Sequence, residues 1–191
     1  MCSEYSLVLL AGGKSSRMGA NKAELLYRGK PFLAHMLEKA HALGIEKCYI
    51  SGSGENWPDV VTVPDRYANR GPLGGLHACM QAVDTPYCLV LPVDAPLLPQ
   101  FVAEALVQAH RARAEKDRVL IWEHGDRQEP LIAIYPAAMA AVIEELIAAG
   151  PAPVFRALDR WGYDRLRLEL PRELILNVNT PELYEKLCNE T

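Results

Sequence analysis

The run Leu7-Val8-Leu9-Leu10 is short and apolar at every position, the pattern of a strand buried on both faces. It leads straight into Ala11-Gly12-Gly13-Lys14-Ser15-Ser16-Arg17-Met18-Gly19, whose glycines, hydroxyls and cations read as a loop. Helical spacing then takes over, with Phe32, Leu33, Met36, Leu37, Ala40 and Leu43 on one face. Pro31 stands at its start and Gly44 at its end, the usual asymmetry of helix termini. Cys48–Ile50 and Val60–Val63 read as the next two strands. Gly71-Pro72-Leu73-Gly74-Gly75 is expected to break regular structure before a helix of about ten residues that ends near Val83. Cys88–Val93 is another buried strand, terminated at Asp94. A helix runs from Pro99 to Glu115, then strands near Val119–Trp122 and Leu131–Tyr135. A second apolar-faced helix covers Ala137–Ala149, capped by Gly150. A short helix at Val154–Trp161, a strand at Leu166–Leu170 and a helix after Thr180 complete the pattern.

Strands alternating with helices predict crossover units, hence an α/β fold of three layers with a mostly parallel central sheet. No linker, repeat or low-complexity tract divides the 191 residues, so residues 1–191 are expected to form one domain. In such sheets ligands bind beyond the carboxyl ends of the strands, which makes the segments after Leu10 and Val93 the informative ones.

Composition narrows the choices. Half the residues are apolar and 23% are charged, which excludes disordered and fibrous classes. No apolar run reaches the roughly 18 residues of a membrane span, and no basic segment precedes an apolar one at the N-terminus. The five cysteines (Cys2, Cys48, Cys79, Cys88, Cys188) include no C-x-x-C pair, so neither a disulfide framework nor a zinc site is expected. A cytoplasmic protein that binds neither membrane nor nucleic acid fits these features and the net charge of −4. Yet residues 1–30 hold five basic residues (Lys14, Arg17, Lys22, Arg28, Lys30) against two acidic ones (Glu4, Glu24). An acidic chain that gathers cations in one short segment is suited to receive a small anion there.

The loop after the first strand gives that anion a chemistry. Glycine backbone at Gly12 and Gly13 can approach phosphate oxygens closely, and Arg17 and Lys22 can neutralise a triphosphate. The segment is not a Walker A loop, because Val8 stands where its first glycine belongs, nor a G-x-G-x-x-G fingerprint, because Gly12 and Gly13 are adjacent. Asp94, at the end of an apolar strand, is placed to hold Mg²⁺ between two phosphates, although by itself it reads equally as a turn or capping aspartate. The five histidines (His35, His41, His77, His110, His124) lack metal-ligand spacing. Tyr87, Trp122 and Tyr135 border strands as core aromatics do, with stacking on a planar ligand as the alternative.

Taken together, Leu10-Ala11-Gly12-Gly13, Arg17-Met18-Gly19, Lys22, Gly71-Pro72-Leu73-Gly74-Gly75 and Asp94-Ala95-Pro96 resemble the molybdenum cofactor guanylyltransferases, the molybdopterin-guanine dinucleotide biosynthesis protein A family. Glu129–Tyr135 and Asn177–Leu183 extend the likeness in order from Tyr5 to Leu187. The resemblance implies a Rossmann-like fold of the nucleotide-diphospho-sugar-transferase type, one nucleotidyltransferase domain that moves GMP from GTP to molybdopterin. It implies Mg²⁺, with Mn²⁺ as an alternative, and molybdoenzyme maturation chaperones as further partners. By the same resemblance Leu10, Ala11, Gly12 and Gly13 line the GTP site through their backbone. Lys22 contacts phosphates, Asp65 lies against the nucleoside, Ser51 belongs to the nucleotide-binding set, and Gly71, Pro72, Leu73 and Gly74 close over guanine or ribose. Asp94 binds nucleotide and metal, Asn177 and Asn179 border the acceptor, and Arg17, Lys22 and Asp94 form the catalytic set. Two positions depart from the family: Asn21 where it usually has aspartate, and Ser51 where it often has asparagine.

The cytidylyl-transferring sibling is the first alternative, disfavoured because its first loop resembles Leu-Ala-Ala-Gly whereas this chain has Gly12. Sugar-nucleotide pyrophosphorylases share the strand–loop–cation plan. A nucleotide-binding module without turnover is the non-enzymatic alternative, disfavoured by the presence of both Lys22 and Asp94.

Overall fold

A computed structural model describes residues 2–11, 21–52, 57–171, 174 and 177–189. The opening apolar run forms β1 (Tyr5–Leu10), every residue of it buried. A two-stranded hairpin, β2 (Leu26–Tyr27) and β3 (Lys30–Pro31), turns at Arg28-Gly29 and feeds α1 (Phe32–Ala42). Then come β4 (Cys48–Ser51), β5 (Val60–Val63), α2 (Pro72–Ala82), β6 (Tyr87–Pro92) and α3 (Gln100–Ala112). The rest comprises β7 (Val119–His124), β8 (Arg127–Pro136), α4 (Ala140–Ala149), α5 (Val154–Trp161), β9 (Tyr163–Arg167) and α6 (Pro181–Asn189).

The seven-stranded sheet runs β5-β4-β1-β6-β8-β7-β9. It is parallel at four junctions, with β8 the antiparallel strand between β6 and β7. Pleating explains the layers. In β1, Tyr5, Leu7 and Leu9 enter the core shared with Leu33 and Met36 of α1 and Val102 and Leu106 of α3. Val8 and Leu10 enter the opposite core, with Leu73 and Leu76 of α2, Ile143 and Ile147 of α4 and Leu158 of α5. Helices therefore cover both faces, as expected for a mostly parallel sheet. The β1–β6 register, Tyr5↔Tyr87 to Leu10↔Pro92, ends both strands level and delivers the segments beyond them to one edge of the sheet.

Three expectations need correction. The Gly71–Gly75 segment is not a break before a helix. Gly71 is the N-cap, Pro72 the first helical residue, and Leu73, Gly74 and Gly75 are buried within the first turn. The last strand lies at Tyr163–Arg167, three residues before the expected Leu166–Leu170. The Leu166-Leu168-Leu170 alternation is real, and all three side chains pack on the core, but β7 ends at His124, so the pairing stops at Glu123↔Arg167. The Ala137–Ala149 helix opens as a 3₁₀ turn over Ala137–Met139.

Trp122 and Tyr135 are fully buried, which rules out stacking on a ligand, while Tyr87 packs against Tyr5 and His110. His77 and His110 are also fully buried. Burial lowers both pKa values, against Glu144, whose Oε2 lies 3.8 Å from His77 Nε2, and against the Lys116 carbonyl accepting at His110. The unfolded chain then binds more protons than the native one below the ordinary histidine range, so stability rises with pH there. The melting temperature is expected to fall as pH drops from about 7.5 to about 5.5, and less steeply in His77→Phe. Thermal melts across that interval check this, and equal slopes for both proteins would contradict it.

Candidate active site

The carboxyl ends of β5, β4, β1 and β6 lie along one sheet edge in that order, and two side-chain clusters occupy it. The first sits beyond β1 and β6. Lys22 Nζ donates to Asp94 Oδ2 at 2.6 Å and to Asn179 Oδ1 at 2.6 Å, joining residues 157 positions apart. The backbone fixes all three. Asp94 is held on one side by Val93 N–H donating to the Leu10 carbonyl (3.3 Å) and on the other by Val178 N–H donating to its own carbonyl (2.8 Å). Val178 is buried with Tyr27, Phe32 and Leu187 in a small satellite core, which anchors Asn177 and Asn179 on either side of it. Lys22 opens a 3₁₀ turn capped by Asn21, whose Oδ1 accepts from Ala23 N–H at 3.1 Å. Asparagine and aspartate cap comparably, so the departure at position 21 preserves this turn. The side chains of Lys22 and Asp94 are 15% and 14% exposed, shielded enough for a strong charge-assisted bond yet open to a ligand.

The second cluster lies beyond β4 and β5, roughly two strand spacings, or about 10 Å, from β6. Ser51 ends β4 and is buried. Its Oγ lies 2.6 Å and its Cβ 2.7 Å from the point where a Cβ on Gly75 would stand. Asp65, two residues past β5, brings Oδ1 within 3.4 Å of the same point and Oδ2 within 3.8 Å of the corresponding point on Gly74. Although the residue is exposed as a whole, desolvation of the carboxyl against this turn raises its pKa above the ordinary carboxylate value. The glycines thus let strand, carboxylate and helix meet at van der Waals distance, which a side chain at either position would obstruct.

Among the other expected residues, Leu10 is buried at the end of β1 and Ala11 half-buried beyond it. Leu73 points into the core, so only its backbone is available to a ligand. Gly71 adopts φ +59° and Pro72 contributes no N–H to the first turn. Asn177 is half-buried. Gly12, Gly13 and Arg17 lie outside the described residues. Arg70, which the sequence reading did not single out, packs on α2 with its Cβ 3.3 Å from the Cβ point of Gly74. Its Nε is buried without a hydrogen-bond partner.

The same architecture occurs in solved structures of other proteins. The molybdopterin-guanine dinucleotide biosynthesis protein A of Archaeoglobus fulgidus superposes with a TM-score of 0.72 at 23% identity, covering 97% of each chain. A Mycobacterium tuberculosis protein solved as a complex with manganese superposes at 0.71 and 17% identity, over 98% of this chain and 100% of that one. These two share the fold, and a family model and a named relative make the chain a nucleotidyltransferase. A family model described as the MobA-like NTP transferase domain matches residues 7–186, and the chain belongs to that family. The molybdenum cofactor guanylyltransferase of Xanthomonas euvesicatoria pv. vesicatoria is 32% identical over 189 residues, 96% of this chain and 94% of that protein.

Proposed function

We propose that the chain, acting as one nucleotidyltransferase domain, transfers GMP from GTP to the terminal phosphate of molybdopterin, giving the guanine dinucleotide form of the cofactor and pyrophosphate. The observation that carries this reading is the Lys22–Asp94–Asn179 cluster at the ends of β1 and β6, in a chain whose relatives over nearly its full length bear that name.

A divalent cation fits this cluster. The Asp94 and Asn179 oxygens already converge on one cation, the Lys22 ammonium, and hard oxygen donors are those Mg²⁺ and Mn²⁺ prefer. Asp94 would hold the ion with Asn179 beside it. Among the described residues no group of three His, Cys, Asp or Glu could hold a metal alone, so the nucleotide's phosphates would supply further ligands. When bound, the ion supplies positive charge at the α-phosphate.

The chain's own residues do the rest by positioning and neutralisation. The acceptor is a phosphate monoester, largely dianionic at neutral pH since its second pKa is about 6, so no general base is required. One of its oxygens attacks the α-phosphorus of GTP. A new P–O bond forms, the bond from the α-phosphorus to the bridging oxygen breaks, and pyrophosphate leaves with the electron pair. Lys22 neutralises the phosphates, with Arg17 as the second cation, while Leu10, Ala11, Gly12 and Gly13 present backbone to them. Asn177 and Asn179 face the acceptor. Ser51, Asp65, Gly71, Pro72, Leu73 and Gly74 form the wall for the nucleoside. No helix among the described residues is long and apolar enough to cross a membrane. The reading places the enzyme in the cytoplasm, handing its product to molybdoenzymes through maturation chaperones.

Pyrophosphate release from GTP, CTP, ATP and UTP with Mg²⁺, with and without molybdopterin, tests this. Release is expected only with GTP and molybdopterin together. Release with CTP alone would assign the cytidylyl reaction, and tight GTP binding without release would make the chain a binding module. In the same assay Lys22→Ala is expected to raise the KM for GTP roughly 10- to 100-fold, the loss of charge-assisted contacts to phosphate.

A further inference from the structure

An arginine whose Nε is buried without a partner is costly, and such groups are rare in native proteins. Arg70 is one, and its place gives it a use. Its Cβ and the Asp65 carboxylate flank the same point on Gly74, the first at 3.3 Å and the second (Oδ2) at 3.8 Å. Burial against this turn raises the pKa of the Asp65 carboxyl above the ordinary carboxylate value. Ser51 Oγ, in a residue 2% exposed, is also unpartnered and points at the next helical residue, Gly75. The start of α2 therefore gathers the Arg70 side chain, the Asp65 carboxylate and the Ser51 hydroxyl around two buried glycines, with Gly71 and Pro72 exposed beside them. On the guanylyl reading, phosphates held at Lys22 and Asp94 would leave the base of the nucleotide toward β4 and β5, beside the exposed Gly71 and Pro72.

We propose that Arg70 is a specificity-determining residue for the nucleobase. Its guanidinium donates to the O6/N7 edge of guanine, while Asp65 accepts from N1–H and the 2-amino group. The assignment rests on the guanylyl reading and adds to it the groups that choose the base. Guanine is the base whose five- and six-membered rings offer adjacent acceptors on one edge and adjacent donors on the next, and arginine reads the acceptor edge bidentately. Adenine turns its 6-amino donor toward a guanidinium that has nothing with which to accept it.

Equilibrium binding of GTP, 7-deaza-GTP, ITP and CTP, each with Mg²⁺, tests the proposal. The unmodified protein is expected to bind 7-deaza-GTP, which lacks the N7 acceptor, roughly tenfold more weakly than GTP. In Arg70→Ala that ratio is expected to fall to about one, because GTP weakens to the level of the analogue, and in Arg70→Lys to an intermediate value. Asp65→Asn is expected instead to erase discrimination against ITP, which lacks the 2-amino group. These ratios do not depend on the fraction of protein folded, so a destabilised variant still gives an answer. An unchanged 7-deaza-GTP ratio in Arg70→Ala overturns the role of Arg70 and leaves the guanylyl reading standing. A preference of the unmodified protein for CTP overturns both, and is seen before any variant is made.

Discussion

Asp94→Ala is expected to abolish pyrophosphate release, and Asp94→Asn to reduce it on the order of 10²- to 10³-fold, the usual effect of removing one preorganised electrostatic stabiliser. The reason lies in how the carboxylate is held. The β1–β6 register carries the chain to Pro92 level with Leu10, and the backbone on either side of Asp94 is pinned by Leu10 and Val178. Neither substitution releases those backbone bonds. Asparagine also keeps the volume and an oxygen for Lys22, so its deficit isolates the charge. Its melting temperature is expected to stay within several degrees of the parent, since asparagine keeps an oxygen that accepts from Lys22 and removes only the charge. If Asp94→Ala retains the parental kcat, Asp94 is a capping residue and the metal assignment is wrong.

That alternative for Asp94 could not be closed from the sequence, which shows a lone carboxylate after an apolar strand. The structure adds its partners from distant segments, Lys22 and Asn179, brought in by a satellite core of Tyr27, Phe32, Val178 and Leu187. Buried parallel strands were legible because they are apolar at every position: Leu7–Leu10, Cys48–Ile50, Val60–Val63 and Cys88–Val93 all fall on strands of the sheet or just beyond their ends. The short helix expected at Val154–Trp161 forms there. The failures have a common cause. Propensity describes a segment alone, whereas neighbours set where a ladder ends and what a glycine is for. The strand at 163–167 stops where its partner β7 turns away at Gly125, though leucines keep alternating to residue 170. The irregular pairing of β7 with β8, where Ile121↔Ala133 gives way to Trp122↔Glu129, leaves Pro130–Ile132 unpaired with β7 and has no local signal beyond Pro130. Gly74 and Gly75 read as breakers because glycine weakens helices by about 1 kcal/mol relative to alanine. Here that cost is outweighed by what their missing side chains admit.

That contrast yields an expected result opposite to propensity. Gly75→Ala gains up to about 1 kcal/mol of helix preference. Its new methyl, however, would stand 2.6 Å from Ser51 Oγ and 2.7 Å from Ser51 Cβ. A hydroxyl could rotate away, but the Cβ is fixed to β4, whose ladders to β1 and β5 hold it in place. The helix must therefore shift, and overpacking of this kind costs about 1–3 kcal/mol. The balance favours destabilisation, with a melting temperature lower by several degrees for a domain of this size, roughly 2–4 °C per kcal/mol. The shift moves the turn that bears Gly74 and faces Asp65, so GTP affinity is expected to fall with stability. Gly74→Ala meets Tyr67 O at 3.2 Å and Arg70 Cβ at 3.3 Å and is expected to be milder on both counts. Ser51→Gly supplies the control, since it removes both atoms that the methyl strikes. In the double variant Ser51→Gly/Gly75→Ala, the destabilisation from Gly75→Ala should largely disappear, a coupling that distant, independent sites do not show. Thermal melts and GTP titrations of the four proteins in that cycle measure it. Additive losses would mean that the glycine is required for a reason other than the approach of α2 to β4.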